Sequence, residues 1–214
     1  MITVLCCGTA TEVGKTWVGA EVLAALRTRG VHVAARKPVQ SFAPDDTAAS
    51  DADVLAAATG EDTTTVCPAD RRYALAMAPP IAAMLLGGEV GLMAEVVTDM
   101  AEPPDETDLM WVETVGGVRS PLADDGDSAD MARWLHPQFV VLVADAGLGT
   151  INAVRLSTIP FAGRQVLVFL NRFDESDTVH RTNAAWLQDE GFSISTSCGQ
   201  LADFFTDMVG ELTE

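Results

Sequence analysis

Lysine is nearly missing from this chain. Of 13 basic residues only Lys15 and Lys37 are lysines, and arginine supplies the rest. Positive charge of any kind is scarce, because 31 Asp and Glu residues bring the formal net charge to −18. So anionic a chain is not expected to bind nucleic acid, whose phosphates need clustered cations, nor to dock on anionic lipid. Long apolar runs are absent too: none approaches the roughly 20 residues of a membrane-spanning helix. Cys6, Cys7, Cys67 and Cys198 form no C-x-x-C pair and have no histidine at zinc-finger spacing. Cys6 and Cys7 lie in an apolar segment, where a free thiol behaves as a small hydrophobe. Reduced thiols and an N-terminus without the basic start of a secretory leader lead us to expect a cytoplasmic protein. His32, His136 and His180 share no spacing suited to a triad or a metal, and Ser120 lacks the glycines of a nucleophile elbow.

What is present reads as one compact α/β domain over residues 1–214. Hydrophobic residues make up 48% of the chain, enough for a sizeable core without disulfides. Met1–Cys7 (MITVLCC), Val31–Arg36 (VHVAAR), Leu109–Val115 (LMWVETV), Phe139–Ala144 (FVVLVA) and Gln165–Leu170 (QVLVFL) read as strands. Helical spacing begins after Lys15 and stops at Gly30, and further helices are expected near 52–59, 80–86, 90–101, 129–135, 150–158 and 178–190. Trp17, Trp111, Trp134 and Trp186 lie in apolar segments and are expected in the core. Strands alternating with helices give a mainly parallel sheet covered on both faces. Ligands of such sheets gather at the carboxyl ends of the strands, where every candidate motif here falls.

The first of these motifs is Gly8-Thr9-Ala10-Thr11-Glu12-Val13-Gly14-Lys15-Thr16. It follows the first strand and opens a helix, the context of a P-loop NTPase-like fold, although Thr9 stands where the usual spacing places a glycine. Backbone N–H groups and the helix N-terminus suit a triphosphate. Lys15 would reach its outer phosphates, and the Thr16 hydroxyl would ligate Mg²⁺. Lys37 opens Lys37-Pro38-Val39-Gln40-Ser41, and its retention in an arginine-rich chain points to a role only a compact ammonium can fill. Glu113, at the end of the third strand, suits a hard cation, and Gly116 and Gly117 after it allow close backbone approach. Asp51 and Asp53 open a helix; each suits a first helical turn and each also suits a third oxygen ligand.

These stretches, together with Ser50-Asp51-Ala52, Met77-Ala78-Pro79, Ser120-Pro121-Leu122, Leu148-Gly149-Thr150-Ile151-Asn152 and Asn171, resemble dethiobiotin synthetase over about residues 1–175. The resemblance implies a homodimer that converts 7,8-diaminononanoate, CO₂ and ATP into dethiobiotin through a carbamate and a carbamic–phosphoric anhydride. It implies catalytic roles for Lys37, Lys15 and Thr11. Glu12, Val13, Gly14, Lys15, Thr16, Trp17, Glu113, Gly116 and Asn171 would hold the nucleotide, and Asn171 would contact its base. Thr11, Lys37, Ser41 and Gly117 would face the substrate, with Gly149, Thr150 and Asn152 taking its carboxylate across a dimer interface. Mg²⁺ would rest on Thr16, Asp51 and Glu113.

The chain departs from that pattern in several places. Thr114 and Val115 replace small residues after the glutamate, Phe42 replaces a glycine, and Ala153 replaces a histidine. Pro160 interrupts the helix before Gln165. The Gly-x-Ile-Pro segment that helps hold adenine is absent, with Thr196–Gln200 (TSCGQ) in its place. Phosphate handling is therefore expected to be intact and base discrimination weak. Two other readings are a partitioning-type ATPase switch and a non-catalytic paralogue of the synthetase. The first normally carries an extra lysine early in its phosphate loop, and none stands between Gly8 and Gly14.

Overall fold

The computed structural model describes residues 1–213. β1 (Ile2–Gly8) leads through the glycine-bounded loop into α1 (Lys15–Thr28), then β2 (Val33–Arg36) and the two-residue β3 (Gln40–Ser41). α2 (Asp51–Thr59), α3 (Thr63–Val66), β4 (Arg72–Tyr73), α4 (Pro79–Leu85) and α5 (Met93–Thr98) precede β5 (Leu109–Glu113). β6 (Pro121–Ala123), β7 (Gly126–Asp127) and α6 (Ser128–Leu135) lead to β8 (Phe139–Asp145) and α7 (Thr150–Thr158). β9 (Gln165–Asn171), α8 (Thr178–Asp189), β10 (Ser193–Ser195) and α9 (Cys198–Thr213) complete the order.

Six strands form one sheet in the order β10-β9-β8-β1-β5-β2, and every pairing in it is parallel. β1 lies inside, with β5 and β2 on one side and β8, β9 and β10 on the other. Strand order therefore reverses beside β1, which puts the loop after it at the crevice where such sheets bind ligands. Alternation along β1 supplies both faces: Leu5 and Cys7 join one buried cluster, and Ile2, Val4 and Cys6 the other. Burial pushes the Cys7 thiol up to about 12, so it stays a neutral hydrophobe.

Three features differ from the sequence reading. Trp17 and Trp134 are exposed, while Trp111 is fully buried. On α1 the buried stripe is Val18, Val22, Leu23 and Leu26, and Trp17 lies one helical step off it. On α6 the buried residues end at Ala132. The helix expected near 90–101 is shorter, Met93–Thr98. Finally, no helix is expected beyond 178–190, yet α9 follows there, and Phe205 on it is fully buried, edge-on to Trp111 at 6.4 Å and to Phe139 at 5.7 Å between ring centroids. Among the described residues no helix is long and apolar enough to cross a membrane.

Candidate active site

The loop after β1 is shaped by two glycines. A Cβ on Gly8 would come within 2.8 Å of the Ala10 carbonyl oxygen and 3.0 Å of Lys15 Nζ. Gly14 caps α1 at a φ of 93° without any side-chain cap, so the first N–H groups of the helix are left for a ligand. Lys15 folds back across the loop, and its Nζ donates to the Gly116 carbonyl at 2.9 Å. Burial, and then repulsion from Lys37, hold the Lys15 pKa below the usual lysine value.

Lys37, delivered just past β2, is 2% exposed. Its Nζ lies 2.6 Å from Glu113 Oε1 and 2.8 Å from Asp51 Oδ2. Burial alone would depress this ammonium; the two carboxylates more than offset it, and its pKa lies above the ordinary lysine value. Asp51 shows the reverse balance: desolvation opposes ionisation, Lys37 favours it, and the pKa falls below the usual carboxylate value. The Thr16 hydroxyl donates to the same Glu113 oxygen at 2.7 Å. Glu113 Oε2 is buried without a hydrogen-bond partner among the described residues. Thr16, Asp51 and Glu113 thus bring one hydroxyl and two carboxylates together, an all-oxygen donor set that fits Mg²⁺, and Oε2 has capacity to spare.

Asp53 stands apart from this cluster. It completes a capping box with Ser50 at the start of α2 and accepts from the Thr63 hydroxyl at 2.9 Å. Gln40 has a part that the sequence reading did not single out. Its side chain is buried, and its Oε1 accepts from the Ala52 N–H at 2.9 Å and so fixes the first turn of α2, which carries Asp51. Its place inside Lys37-Pro38-Val39-Gln40-Ser41 was the signal available.

A cleft of about 810 Å³ opens over this cluster. Thr11, Glu12, Gly14, Lys15, Thr16, Lys37, Ser41, Asp51 and Gly116 line it, as do Phe42, Met77, Val115 and Ser120. Ser41 Oγ is buried with no partner among the described residues. Thr114 is not in the cleft wall: its hydroxyl turns into the sheet and donates to the Cys6 carbonyl at 3.1 Å. Of the two β-branched replacements only Val115 meets the cleft. Gly149, Thr150 and Asn152 lie at the amino end of α7, outside this lining. Gly117 donates its N–H to Ser120 Oγ. Asn171 is buried, and its Nδ2 donates to the Val13 carbonyl at 2.9 Å. Trp17 is exposed at the first turn of α1.

Comparison with known proteins settles the family. Residues 2–180 match the family described as an AAA domain. The ATP-dependent dethiobiotin synthetase of Caulobacter sp. strain K31 is 40% identical over 163 residues, covering 75% of this chain and 70% of that protein. The chain belongs to the dethiobiotin synthetase family. Synthetases of the same description from Haloferax mediterranei and Aquifex aeolicus are 36% and 31% identical, each over 85% of this chain and over 77% and 81% of their own lengths. Among solved structures, the signal recognition particle receptor FtsY from Elizabethkingia anophelis superposes with a TM-score of 0.51 at 14% identity. That match covers 97% of this chain but only 65% of the longer FtsY chain, and it is a likeness of fold alone. The P-loop NTPase-like architecture expected from the glycine loop is thus shared by this synthetase-family chain.

Proposed function

We propose that this chain is an ATP-dependent dethiobiotin synthetase, closing the ureido ring of dethiobiotin from 7,8-diaminononanoate, CO₂ and ATP. The observation that carries the reading is the convergence of both lysines of the chain on one cleft, beside a hydroxyl and two carboxylates. Phosphoryl transfer asks mainly for positioning and charge neutralisation, and this set offers both. The loop N–H groups and Lys15 would hold the triphosphate. Mg²⁺ on Thr16, Asp51 and Glu113 would neutralise charge on the phosphates.

Lys37, with Lys15 assisting, would leave its carboxylates to stabilise the carbamate and the phosphoryl group passing to it. Thr11 and the unpartnered Ser41 hydroxyl would orient the diamine. Gly149, Thr150 and Asn152 lie outside the cleft of their own chain, which suits a role toward the substrate carboxylate of a second subunit in a homodimer. Reduced cysteines and an acidic surface suit a cytoplasmic enzyme.

The test is ADP release with bicarbonate and Mg²⁺ present. A synthetase releases ADP only when diaminononanoate is added, and dethiobiotin accumulates in equal amount. Diamine-independent hydrolysis would indicate an ATPase switch, and nucleotide binding without turnover a non-catalytic paralogue; either result would overturn the proposal.

A further inference from the structure

The chemistry above leaves the segment just past β9 unused, and its geometry is unusual. Arg172 takes a positive φ of 56°, and Glu12, on the phosphate loop, one of 61°; side chains other than glycine rarely adopt such values. The two residues are joined. Arg172 Nη2 donates to the Glu12 carbonyl and Nη1 to the Asp145 carboxylate, each at 2.8 Å. Beside them Asn171 holds the Val13 carbonyl. A Cβ on Gly14 would come within 2.1 Å of that amide nitrogen. The end of β9 is therefore clamped onto residues 12–14, with the Arg172 stem spanning the gap. Two positions further on, Asp174 is exposed. Its Oδ1 accepts from the Ser176 N–H and hydroxyl, each at 2.8 Å, which fixes the carboxylate; its Oδ2 accepts no hydrogen bond among the described residues.

Sheet order gives the direction of a bound nucleotide. Lys37 and Glu113 mark the reacting phosphate; Lys37 follows β2 and Glu113 ends β5, both on one side of β1. A triphosphate on the loop after β1 with its outer end there must run its ribose and base the other way, across β8 toward the end of β9. Arg172 and Asp174 stand at that end.

We propose that Arg172 and Asp174 form the base seat, and that it favours guanine over adenine. The Arg172 stem and guanidinium, anchored on both sides, offer a flat surface for the ring. Ionised Asp174 offers only acceptors. Guanine presents two adjacent donors, N1–H and the 2-amino group. Adenine presents its 6-amino group beside the N1 lone pair, which a carboxylate repels. Hydrogen bonds to a charged acceptor are the stronger kind, and a seat built for one donor pattern leaves the other unpaired. Because Asp174 is exposed, the preference is about tenfold rather than absolute.

This inference rests on the synthetase reading only in taking the loop as a nucleotide site, so its test is binding without turnover. ADP, GDP and xanthosine diphosphate are titrated calorimetrically with Mg²⁺ against the wild type, Asp174→Ala and Asp174→Asn. The wild type should bind GDP about tenfold tighter than ADP. Asp174→Ala should bring the two within about threefold by weakening GDP alone. Asp174→Asn should gain roughly tenfold for xanthosine diphosphate, whose 2-oxo and N1–H groups match an amide. ADP binding as tightly as GDP to the wild type, or a GDP-to-ADP ratio unmoved by Asp174→Ala, would overturn the inference. Failure of dethiobiotin synthesis with the ratio intact would count against the proposed function alone.

Discussion

Lys37 is buried between two carboxylates, and its point charge is what that space accommodates. A guanidinium is wider, planar and cannot sit between Glu113 and Asp51 at the same distances. Lys37→Arg is expected to retain nucleotide binding, because Lys15 and the loop amides are untouched, while turnover falls by about 10²-fold or more. Near-normal turnover in that variant would remove Lys37 from the chemistry. The two aspartates of α2 separate cleanly. Asp51→Asn should weaken Mg²⁺–nucleotide binding, as should Glu113→Gln. Asp53→Asn removes half of a helix cap and should cost about 1 kcal/mol of stability with little effect on metal binding. Titration of Mn²⁺ as a Mg²⁺ probe, alongside thermal melts, checks all three, and a larger metal defect in Asp53→Asn would place the ligand two residues away. The acid limb of stability follows from Asp51, whose pKa is lower in the folded state than in the unfolded chain. Its pairing with Lys37 contributes fully above the unfolded value of about 3.9, and the contribution is lost as pH falls through the folded one. Denaturant midpoints measured across that range should decline less steeply for Asp51→Asn than for the wild type.

At the scale of elements, α9 carries Leu201, Phe205 and Met208 at helical spacing and closes the core on the side of α1. It packs on α1, and Phe205 closes one face of the sheet against Trp111 and Phe139. α1 comes close to Trp111 because position 19 is glycine; a Cβ there would sit 2.8 Å from the indole nitrogen. Phe205→Ala leaves a cavity in this cluster and is expected to cost about 3–5 kcal/mol, read as a shift in the denaturant midpoint. A loss below about 1 kcal/mol would mean that α9 is peripheral to the core. The same face carries α1, so the variant should also loosen the phosphate loop and raise the KM for nucleotide before it lowers kcat.

For the whole molecule, the proposed function puts phosphate recognition and base recognition on different sides of the sheet. The first would use the loop after β1, Lys15 and the carboxylates Asp51 and Glu113, which do not sense the base. The second would fall to the short segment after β9, on the other side of β1, and this chain carries no Gly-x-Ile-Pro stretch there. ATP, GTP and CTP are therefore expected to support turnover with kcat/KM values within about two orders of magnitude of one another. A preference for ATP beyond about 10³-fold in competition assays would reveal an adenine pocket built from residues 192–205. A tenfold advantage for guanine falls inside the expected range.

Much of this was legible in the chain itself. β1, β5, β8 and β9 were readable because buried parallel strands are continuous apolar runs, β2 because its residues alternate, and the glycine loop because phosphate binding needs that residue order after a strand. The isolation of Lys15 and Lys37 among arginines pointed to the two side chains that the fold brings to one cleft. Other features depended on contacts distant in sequence. Asp51 and Asp53 are equivalent as helix-start acids until Ser50 and Thr63 engage one and Lys37, arriving from β2, engages the other. Thr114 looked like an obstruction to a ligand until the sheet offered its hydroxyl the Cys6 carbonyl. Trp17 and Trp134 looked apolar enough for the core, but which helical stripe is buried depends on the sheet behind it. The pairing of Arg172 with Glu12 joins residues 160 apart. Local pattern encodes periodicity and the loops that ligands demand, whereas partner choice among like residues is decided only when packing brings distant segments within a hydrogen bond of each other.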